Sequence, residues 1–226
     1  MAIMRLYKSV WGHLRTNRRL SEFICSTIGV KQGFLLSPTL FGIYIDELET
    51  FLHEHTQETD GCLLHQVLIS ILLFIDDIVL LSSSPEGLQR QLDALALFCE
   101  LRKLTVNLSK TKVMIFNGIK KSSDFHFLFK GEEVEITSTY TYLGVQFSGP
   151  HFSLRPALQP RINKGYGSLA LLERQCFRHH FQDISSKMDL LNTLIRPTVL
   201  YGSEMWGPSL LESDWASAER VQILLL

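Results

Sequence analysis

An apolar run interrupted by two adjacent carboxylates is the most distinctive feature of the hydrophobic pattern. Residues 67–82 form two short stretches rich in Ile, Val and Leu, and Asp76 and Asp77 lie between them. Stretches of this length and composition are typical of buried strands. The pattern predicts a hairpin with the two Asp residues at its tip, where cations or a wet cleft would offset their charge. An ordinary Asp-rich turn has the same local sequence.

Before this run, the pattern predicts a short strand, a turn and a helix. Residues 1–10 are expected to be the last turns of a helix and residues 21–28 a strand, followed by a turn bracketed by Gly29 and Gly33. Ser37 and Pro38 predict a helix start, with Ser as the N-cap and Pro at the first helical position. Apolar residues at helical spacing continue to residue 52, so we expect one helix with one buried face.

After the run, Ser84 and Pro85 repeat the helix-start signal, and a helix over 85–102 is expected. Short strands are predicted over 104–108, 112–116 and 140–147, and a hairpin is predicted from 125–129 and 132–136 about Lys130 and Gly131. Helices are expected over 156–179, over 188–201 with a kink at Pro197, and from about residue 214. The pattern predicts an α+β domain over 1–148 and an all-helical region over 149–226, with both ends of the chain looking cut.

The charge of the whole chain differs from that of its first segment. The net charge is −1, so the chain as a whole is not a polyelectrolyte partner of nucleic acid. Before Gly29 the only acidic residue is Glu22, whereas there are five basic residues: Arg5, Lys8, Arg15, Arg18 and Arg19. A solvated helix face and a patch that contacts phosphates both explain this excess.

Cysteine usage and hydropathy indicate an intracellular protein. The four cysteines contain no C-x-x-C pair, which makes a zinc site unlikely, and their apolar surroundings suggest reduced core residues. No secretory signal is visible, and no segment reaches the roughly 18 apolar residues of a membrane span. We therefore expect a protein of the nucleus or cytoplasm with no membrane partner.

Five motifs follow one another along the chain: the turn from Gly29 to Gly33 with the helix start at Ser37-Pro38, Phe74-Ile75-Asp76-Asp77, the helix from Gly87 to Cys99, the segment from Leu104 to Lys112, and Tyr140-Thr141-Tyr142-Leu143-Gly144-Val145. In this order they resemble the palm of a reverse transcriptase of the non-LTR (LINE-like) retrotransposon class. The resemblance covers roughly residues 21–145, and its helical continuation is similar to a thumb or connecting region. Any one motif is weak, but their order and spacing are specific.

The resemblance implies RNA-directed DNA synthesis with Mg²⁺ or Mn²⁺, an RNA template, a DNA primer and deoxynucleoside triphosphates. It implies that Asp76 binds metal, with Asp77 beside it, as in two-metal phosphoryl transfer. Weak metal binding is expected, because hard cations prefer a fuller oxygen shell. Further implied contacts are those of Gln32, Gly33 and Lys110 with nucleotide and template, and those of Tyr142, Leu143 and Gly144 with the primer. Simple capping, a solvated lysine and an aromatic core pair remain alternatives for these positions.

Several departures from the family pattern argue against activity of the isolated chain. The family usually has Cys-Pro or a similar pair at Phe34-Leu35, Ala at Ile75, and Gly at Lys103, where a helix end favours a left-handed residue. Its first catalytic carboxylate lies on an upstream strand, and Glu22 is in the wrong place to supply it. Three hypotheses stay open: part of a polymerase, an inactive remnant that at most binds nucleic acid or acts as a decoy, and a translated relic with no role.

Overall fold

The computed structural model describes residues 10–16, 19–26, 29–116, 125–149, 153–181 and 183–223. Helices and small antiparallel two-stranded sheets occur together, which confirms the predicted α+β class. The chain forms two compact units, the first comprising Met1–Val106 with Leu128–Glu132 and the second Asn107–Phe127 with Glu133–Leu226. No helix in the described ranges combines the length and apolar character needed to cross a membrane.

The first unit begins with two nested β-hairpins. Strand β1 (Val10–Gly12) pairs antiparallel with β4 (Ile24–Ser26), and β2 (Arg15–Thr16) pairs with β3 (Arg19–Leu20) between them. The expected helix end is therefore wrong at Val10, which opens a strand, while residues 1–9 lie outside the described residues. Of the strand predicted over 21–28, three residues are confirmed, and residues 27–28 lie outside the described residues. Pairing of β1 with β4 ends at Gly12 and Ile24, so the strand begins later than predicted.

Two short helices replace the single helix predicted after the Gly-bracketed turn. They are α1 (Ser37–Ile45) and α2 (Leu48–His55), separated by a turn at Asp46 and Glu47. The predicted N-cap is also wrong, because Leu36 occupies that position without a side-chain cap. The Ser37 hydroxyl instead donates to the carbonyl oxygen of Lys31 at 2.5 Å, so it braces the preceding turn.

The apolar run around the two Asp residues contributes to two hairpins. Strand β5 (Cys62–Leu64) pairs with β6 (Val67–Ile69), and β7 (Ile71–Phe74) pairs with β8 (Asp77–Leu80), all antiparallel. We call the β7–β8 pair the Asp hairpin. The prediction that these strands are buried is wrong for most of β7, because Ile71 is buried but the next three residues are at least 39% exposed. Each of these sheets has only two strands, which leaves much apolar surface uncovered.

Helix α3 (Pro85–Leu101) forms as its sequence predicts. The Ser84 hydroxyl accepts a hydrogen bond from the Gly87 amide at 3.1 Å, and Pro85 is the first helical residue. The helix buries Leu92, Leu95 and Cys99 on one face. Burial raises the pKa of the Cys99 thiol, so this cysteine stays protonated. Lys103 follows with φ 52°, which confirms the predicted left-handed helix end.

The second unit contains irregular segments and hairpins before its helices. The strands predicted over 104–108 and 112–116 are wrong, because neither range forms a regular strand; Val113 makes only an isolated bridge to Ile136. The hairpin about Lys130 and Gly131 is confirmed, with shorter strands β9 (Leu128–Phe129) and β10 (Glu132–Glu133); its residues 128–132 belong to the first unit. The strand predicted over 140–147 is a hairpin of β11 (Thr139–Tyr142) and β12 (Val145–Ser148).

Five α-helices follow in the described part of the second unit: α4 (Leu158–Arg178), α5 (Ile184–Leu190), α6 (Arg196–Val199), α7 (Ser203–Trp206) and α8 (Glu212–Ile223). Helix α4 confirms the helix predicted over 156–179. The helix predicted over 188–201 is three segments, since a π-helical turn (Leu191–Ile195) lies between α5 and α6. The π-helical turn ends two residues before Pro197, where the kink is predicted. The fully buried Trp206 lies in the core of this unit.

Candidate functional site

The Asp hairpin turns through two residues and presents both carboxylates to solvent. Phe74 pairs with Asp77 as the last rung of the ladder, so Ile75 and Asp76 form the loop. Ile75 has φ 55°, in the left-handed region that a β-branched side chain rarely adopts. Asp76 lies in the turn, Asp77 is the first residue of β8, and both are exposed. The predicted hairpin tip, with Asp76 and Asp77 exposed there, is therefore confirmed.

The two carboxylates are the type of ligand that a hard divalent cation prefers, but two ligands do not fill its coordination shell. Carboxylate oxygens are the ligands that Mg²⁺ and Mn²⁺ prefer. Within the described ranges, however, no group of three or more His, Cys, Asp or Glu side chains is placed to hold a metal ion. Asp76 and Asp77 can therefore form one side of a metal site, and further ligands would have to complete the shell.

A buried glutamine anchors the base of the Asp hairpin, and sequence reasoning missed it. The hairpin is extended by a hydrogen bond from the Leu81 amide to the Ser70 carbonyl at 2.8 Å. Gln91 of α3 is fully buried, and its Nε2 donates to the carbonyl oxygens of Leu81 at 3.0 Å and of Asp60 at 3.1 Å. Its Oε1 has no hydrogen-bond partner in the part of the chain that the structure describes. The sequence feature that could have revealed this contact is a polar residue, Gln91, among the apolar residues on the buried face of α3.

A bidentate ion pair lies directly beside this glutamine. Arg90 donates from Nε and Nη2 to the two carboxylate oxygens of Asp60, and the Gln57 amide donates to the same carboxylate at 2.9 Å. The Asp60 side chain is 2% exposed, and the hydrogen bond from Arg90 lowers the pKa of its carboxyl despite burial. This pair therefore ties the 3₁₀ turn before β5 to helix α3.

The turn that contains Gln32 and Gly33 belongs to the same unit as the Asp hairpin. Gly29 and Gly33 have φ 83° and 77°, which explains why glycine brackets this turn. Gln32 and Gly33 are exposed, and among the described residues nothing beyond Gly33 and its two chain neighbours lies within 4 Å of the position that a Gly33 Cβ would occupy. The hydrogen bond from the Ser37 hydroxyl to the Lys31 carbonyl oxygen holds this turn, and its residues Gln32 and Gly33 are open to solvent.

The second unit brings together two of the predicted sites. Lys110 lies in a turn, and its carbonyl oxygen accepts a hydrogen bond from the Tyr140 hydroxyl at 3.3 Å. Tyr140 is part of β11, which leads into the turn at Leu143 and Gly144, with φ 45° and 79°. The structure thus places the Lys110 segment against the hairpin that carries Tyr142.

One side chain from α4 and one from the turn after α6 hold the Leu143–Gly144 turn, and sequence reasoning missed both. The Tyr201 hydroxyl donates to the Leu143 carbonyl oxygen at 2.9 Å. The Arg161 guanidinium donates to the Gly144 carbonyl oxygen and lies over the Tyr201 ring, 4.3 Å from its centroid. The Arg161–Gly144 contact joins residues 17 positions apart and the Tyr201–Leu143 contact joins residues 58 positions apart, so no local sequence pattern predicts them.

The N-terminal basic patch is described only in part. Arg15 and Arg19 lie on the paired strands β2 and β3, and both are exposed. Register places Arg15 opposite Leu20 and Thr16 opposite Arg19, so the two arginines are not cross-strand partners on this small hairpin. The other predicted members, Arg5, Lys8 and Arg18, lie outside the described residues.

Comparison with known proteins gives one family. The model of the family described as "Reverse transcriptase (RNA-dependent DNA polymerase)" matches residues 2–147. The chain is 28% identical over 88% of its length to a "Retrovirus-related Pol polyprotein from type-1 retrotransposable element R2" of Popillia japonica, of which it covers 27%. A corresponding R2 polyprotein of Nasonia vitripennis is 37% identical over 90 residues, which are 40% of this chain and 8% of that protein.

A shorter relative is also a transposon-derived protein. It is a "Putative uncharacterized transposon-derived protein" of Caenorhabditis elegans, 28% identical over 67% of this chain and 52% of its own length. The chain thus spans about half of this relative and about a quarter of the Popillia polyprotein.

Proposed function

The chain belongs to the reverse transcriptase (RNA-dependent DNA polymerase) family, and from this premise we propose that it carries part of the active site of a retrotransposon's RNA-directed DNA polymerase. The observation that carries the proposal is the Asp hairpin, whose two-residue turn exposes Asp76 and Asp77 together. The proposed substrates are an RNA template, a DNA primer and deoxynucleoside triphosphates.

In this proposal Asp76 and Asp77 supply oxygen ligands to Mg²⁺ or Mn²⁺. The ions, when bound, would lower the pKa of the primer 3′-hydroxyl and offset charge on the transferred phosphoryl group. The chain's own contribution is to hold the two carboxylates at a fixed tip. The buried Gln91 supports this role, because its hydrogen bond to Leu81 fixes the strand that follows Asp77.

The remaining predicted sites have separate proposed roles. Gln32 and Gly33 face the nucleotide and template through an exposed turn that lacks a side chain at one position. Lys110 supplies a cation for nucleotide phosphates, and Tyr142, Leu143 and Gly144 form the turn that grips the primer. Arg15 and Arg19 contact the nucleic-acid backbone, together with Arg5, Lys8 and Arg18. Exposure of Arg15 and Arg19 supports this assignment.

We assign the polymerase palm to residues 1–148 and a thumb-like region to residues 149–226. Support for this division comes from the element content, since the described strands lie before residue 149 and α4 to α8 follow it. An antiparallel hairpin, β11–β12, is the last paired element of the proposed palm.

A specific observation favours a second candidate, an inactive remnant that still binds nucleic acid. Ile75 precedes Asp76 with φ 55°, so a branched side chain is held in a strained conformation beside the proposed metal ligand. Ile75 is 40% exposed at the tip, directly before Asp76 in the turn. Binding without chemistry would result if nucleotide cannot reach the carboxylates.

Primer extension on an RNA template, with Mg²⁺ and with Mn²⁺, tests the proposal. We expect no extension by the chain alone, because two-metal chemistry requires carboxylates from more than one strand. Addition in trans of the upstream palm segment of an R2 relative should restore synthesis, and Asp76→Ala should abolish it. Asp93→Ala, on the exposed side of α3, is the matched control and should retain synthesis.

The possible outcomes separate the candidates. Synthesis by the chain alone that disappears in Asp76→Ala would contradict the requirement for a further strand. A folded complex that binds the duplex but shows no synthesis, even with Ile75→Ala, would favour the inactive remnant. Absence of any binding to RNA or RNA–DNA duplex would reject both candidates.

A further inference from the structure

Three aromatic residues at the β1–β4 hairpin lie in contact with one another and remain open to solvent. The Trp11 and Phe23 rings meet edge to face with their centroids 6.3 Å apart, and the His13 and Phe23 ring centroids are 3.8 Å apart. Trp11 is 59% exposed and Phe23 is 67% exposed, and His13 is also exposed. We call these three residues the aromatic platform. Single exposed aromatics are common on proteins, whereas a contiguous exposed group marks a binding surface.

Hydrogen bonds within the hairpin hold the His13 end of the aromatic platform. His13 Nδ1 donates to the Ser21 carbonyl oxygen at 2.7 Å, since a carbonyl oxygen can only accept. The Leu14 amide donates to the Ser21 hydroxyl at 2.9 Å, and the Ser21 amide donates to the Leu14 carbonyl oxygen at 2.9 Å. These bonds restrict rotation of the imidazole, and Phe23 packs against it. A ligand that stacks here would therefore meet rings that are already ordered, which lowers the entropic cost of binding.

Two arginines on the same hairpin give this surface a positive character. Arg15 follows Trp11 and His13 at alternate positions along the chain, the spacing at which strand side chains share a face. Arg19 lies on the paired strand β3, and neither arginine belongs to an ion pair in the described part of the chain. Exposed rings beside such guanidinium groups match a ligand that has both flat π faces and negative charge. Nucleotides of a single strand combine these two properties.

We propose that the aromatic platform stacks an unpaired base of the RNA template and that Arg15 contacts a phosphate next to that base. Base stacking on aromatic rings tolerates any sequence, because every base has a π face. Bases within a duplex are covered by their neighbours, so the platform should select an unpaired strand. Template-directed synthesis starts from an unpaired template and leaves a duplex, which makes the RNA template the strand with open bases. The inference rests on the proposed function that the chain acts on an RNA template.

The test compares the affinity of the whole chain for single-stranded RNA with its affinity for an RNA–DNA duplex of equal length. Trp11→Ala and Phe23→Ala should each weaken binding of single-stranded RNA by about 5- to 150-fold, the range that stacking of one base contributes. Neither change removes a charge, so the slope of log affinity against log salt should stay as in the wild type. Affinity for the duplex should change little, because its bases offer no open face.

Three controls separate stacking from other effects. A single strand of abasic nucleotides has the same charge and no bases, so Trp11→Ala should not alter its binding. Trp11→Leu keeps an apolar side chain without a ring and should lose affinity as Trp11→Ala does, whereas Trp11→Phe should keep most of it. Phe177→Ala removes an aromatic residue that is 86% exposed near the end of α4, and binding should not change.

Fluorescence of the wild-type chain gives a measurement that requires no destabilising substitution. Single-stranded RNA should quench the indole emission. The quenching should be absent in Trp11→Phe, since the other two tryptophans, Trp206 and Trp215, lie in the second unit. Thermal unfolding shows which variants are folded at the assay temperature.

The outcomes distinguish this inference from the proposed function. A wild-type chain that binds neither single-stranded RNA nor the duplex would reject both. If the wild-type chain binds, but folded Trp11→Ala and Phe23→Ala bind single-stranded RNA as tightly as it does, only the stacking role of the platform is wrong. An equal loss of affinity for single strand and duplex in these variants would also overturn the inference. Self-association that depends on Trp11, with no quenching by RNA, would assign the rings to a second copy of the chain and overturn it as well.

Discussion

Arg90 donates two hydrogen bonds to Asp60, from Nε to Oδ2 at 2.8 Å and from Nη2 to Oδ1 at 2.5 Å. The carboxylate is almost fully buried, whereas Arg90 keeps 39% of its side-chain surface in solvent. Gln91, the next residue on the helix, donates to the carbonyl oxygens of Asp60 and Leu81. One turn of α3 therefore holds both the segment before β5 and the base of the Asp hairpin.

Acid should weaken the first unit through Asp60. The hydrogen bond from Arg90 lowers the pKa of Asp60 from its ordinary value of 3.8, so the carboxylate contributes stability that is present above that value. This contribution is lost as the pH falls through the lowered folded pKa. Asp60→Asn should therefore destabilise the chain at neutral pH and flatten the acid limb of its stability profile.

Urea unfolding of Asp60→Asn between pH 7 and pH 2 measures this effect. Asp46→Asn, an exposed carboxylate in the turn between α1 and α2, is the control and should follow the wild-type profile. An acid limb for Asp60→Asn that parallels the wild type would show that Asp60 does not drive the pH dependence.

Gly144→Ala and Gly167→Ala should change stability in opposite directions. Gly144 has φ 79°, and its new Cβ would meet Arg161, so we expect a loss of about 1–3 kcal/mol. Gly167 lies within α4 with no atom within 4 Å of its Cβ position, so alanine there should add about 0.5–1 kcal/mol. Chemical denaturation of both variants provides the comparison, and a neutral Gly144→Ala would contradict the strained turn.

Ile75→Gly should stabilise the Asp hairpin. Isoleucine at φ 55° carries a left-handed penalty of about 1–2 kcal/mol that glycine avoids. Loss of the side chain's contacts offsets part of that gain, because Ile75 is only 40% exposed. We expect a net gain of about 1 kcal/mol, whereas Val79→Gly, in the regular part of β8, should destabilise by a similar amount. Hydrogen exchange of the hairpin amides measures this effect. Faster exchange in Ile75→Gly than in the wild type would contradict the prediction.

Metal binding at the hairpin tip should be weak and dependent on Asp76. Two carboxylates without further acidic ligands in the described residues leave most of the cation shell to water, so affinity should be on the order of millimolar. Titration with Mn²⁺, followed by water-proton relaxation, should show this binding and its loss in Asp76→Asn. Asp93→Asn is the control, and equal binding by both variants would place the metal elsewhere.

Local signals in the sequence were sufficient for several elements. Ser84 with Pro85 predicted the capped start of α3, and Lys130 with Gly131 predicted a hairpin. Asp76 and Asp77 were correctly placed at a tip. These features depend on residues within a few positions of each other, where capping geometry and turn preferences decide the conformation. The order of five such motifs also sufficed to predict the family, because order along a chain is a property of sequence.

The same kind of signal failed where other contacts compete with it. Ser37 satisfies the N-cap pattern, yet its hydroxyl bonds to the Lys31 carbonyl oxygen instead. Residues 112–116 have the composition of a strand, but in the described part of the chain they form only one isolated β-bridge, between Val113 and Ile136. Apolar residues of β7 were expected to be buried, but burial depends on whether another layer covers the strand, and a two-stranded sheet supplies none.

The chain's sequence alone determined its class, its family motifs and the hairpin that presents Asp76 and Asp77. Only the tertiary structure decided that Gln91 anchors that hairpin and that Arg161 and Tyr201 hold the Leu143–Gly144 turn. The reason is that these contacts join residues 10 to 58 positions apart. Their partners are chosen by the packing of whole helices against hairpins, which no periodicity or short motif encodes.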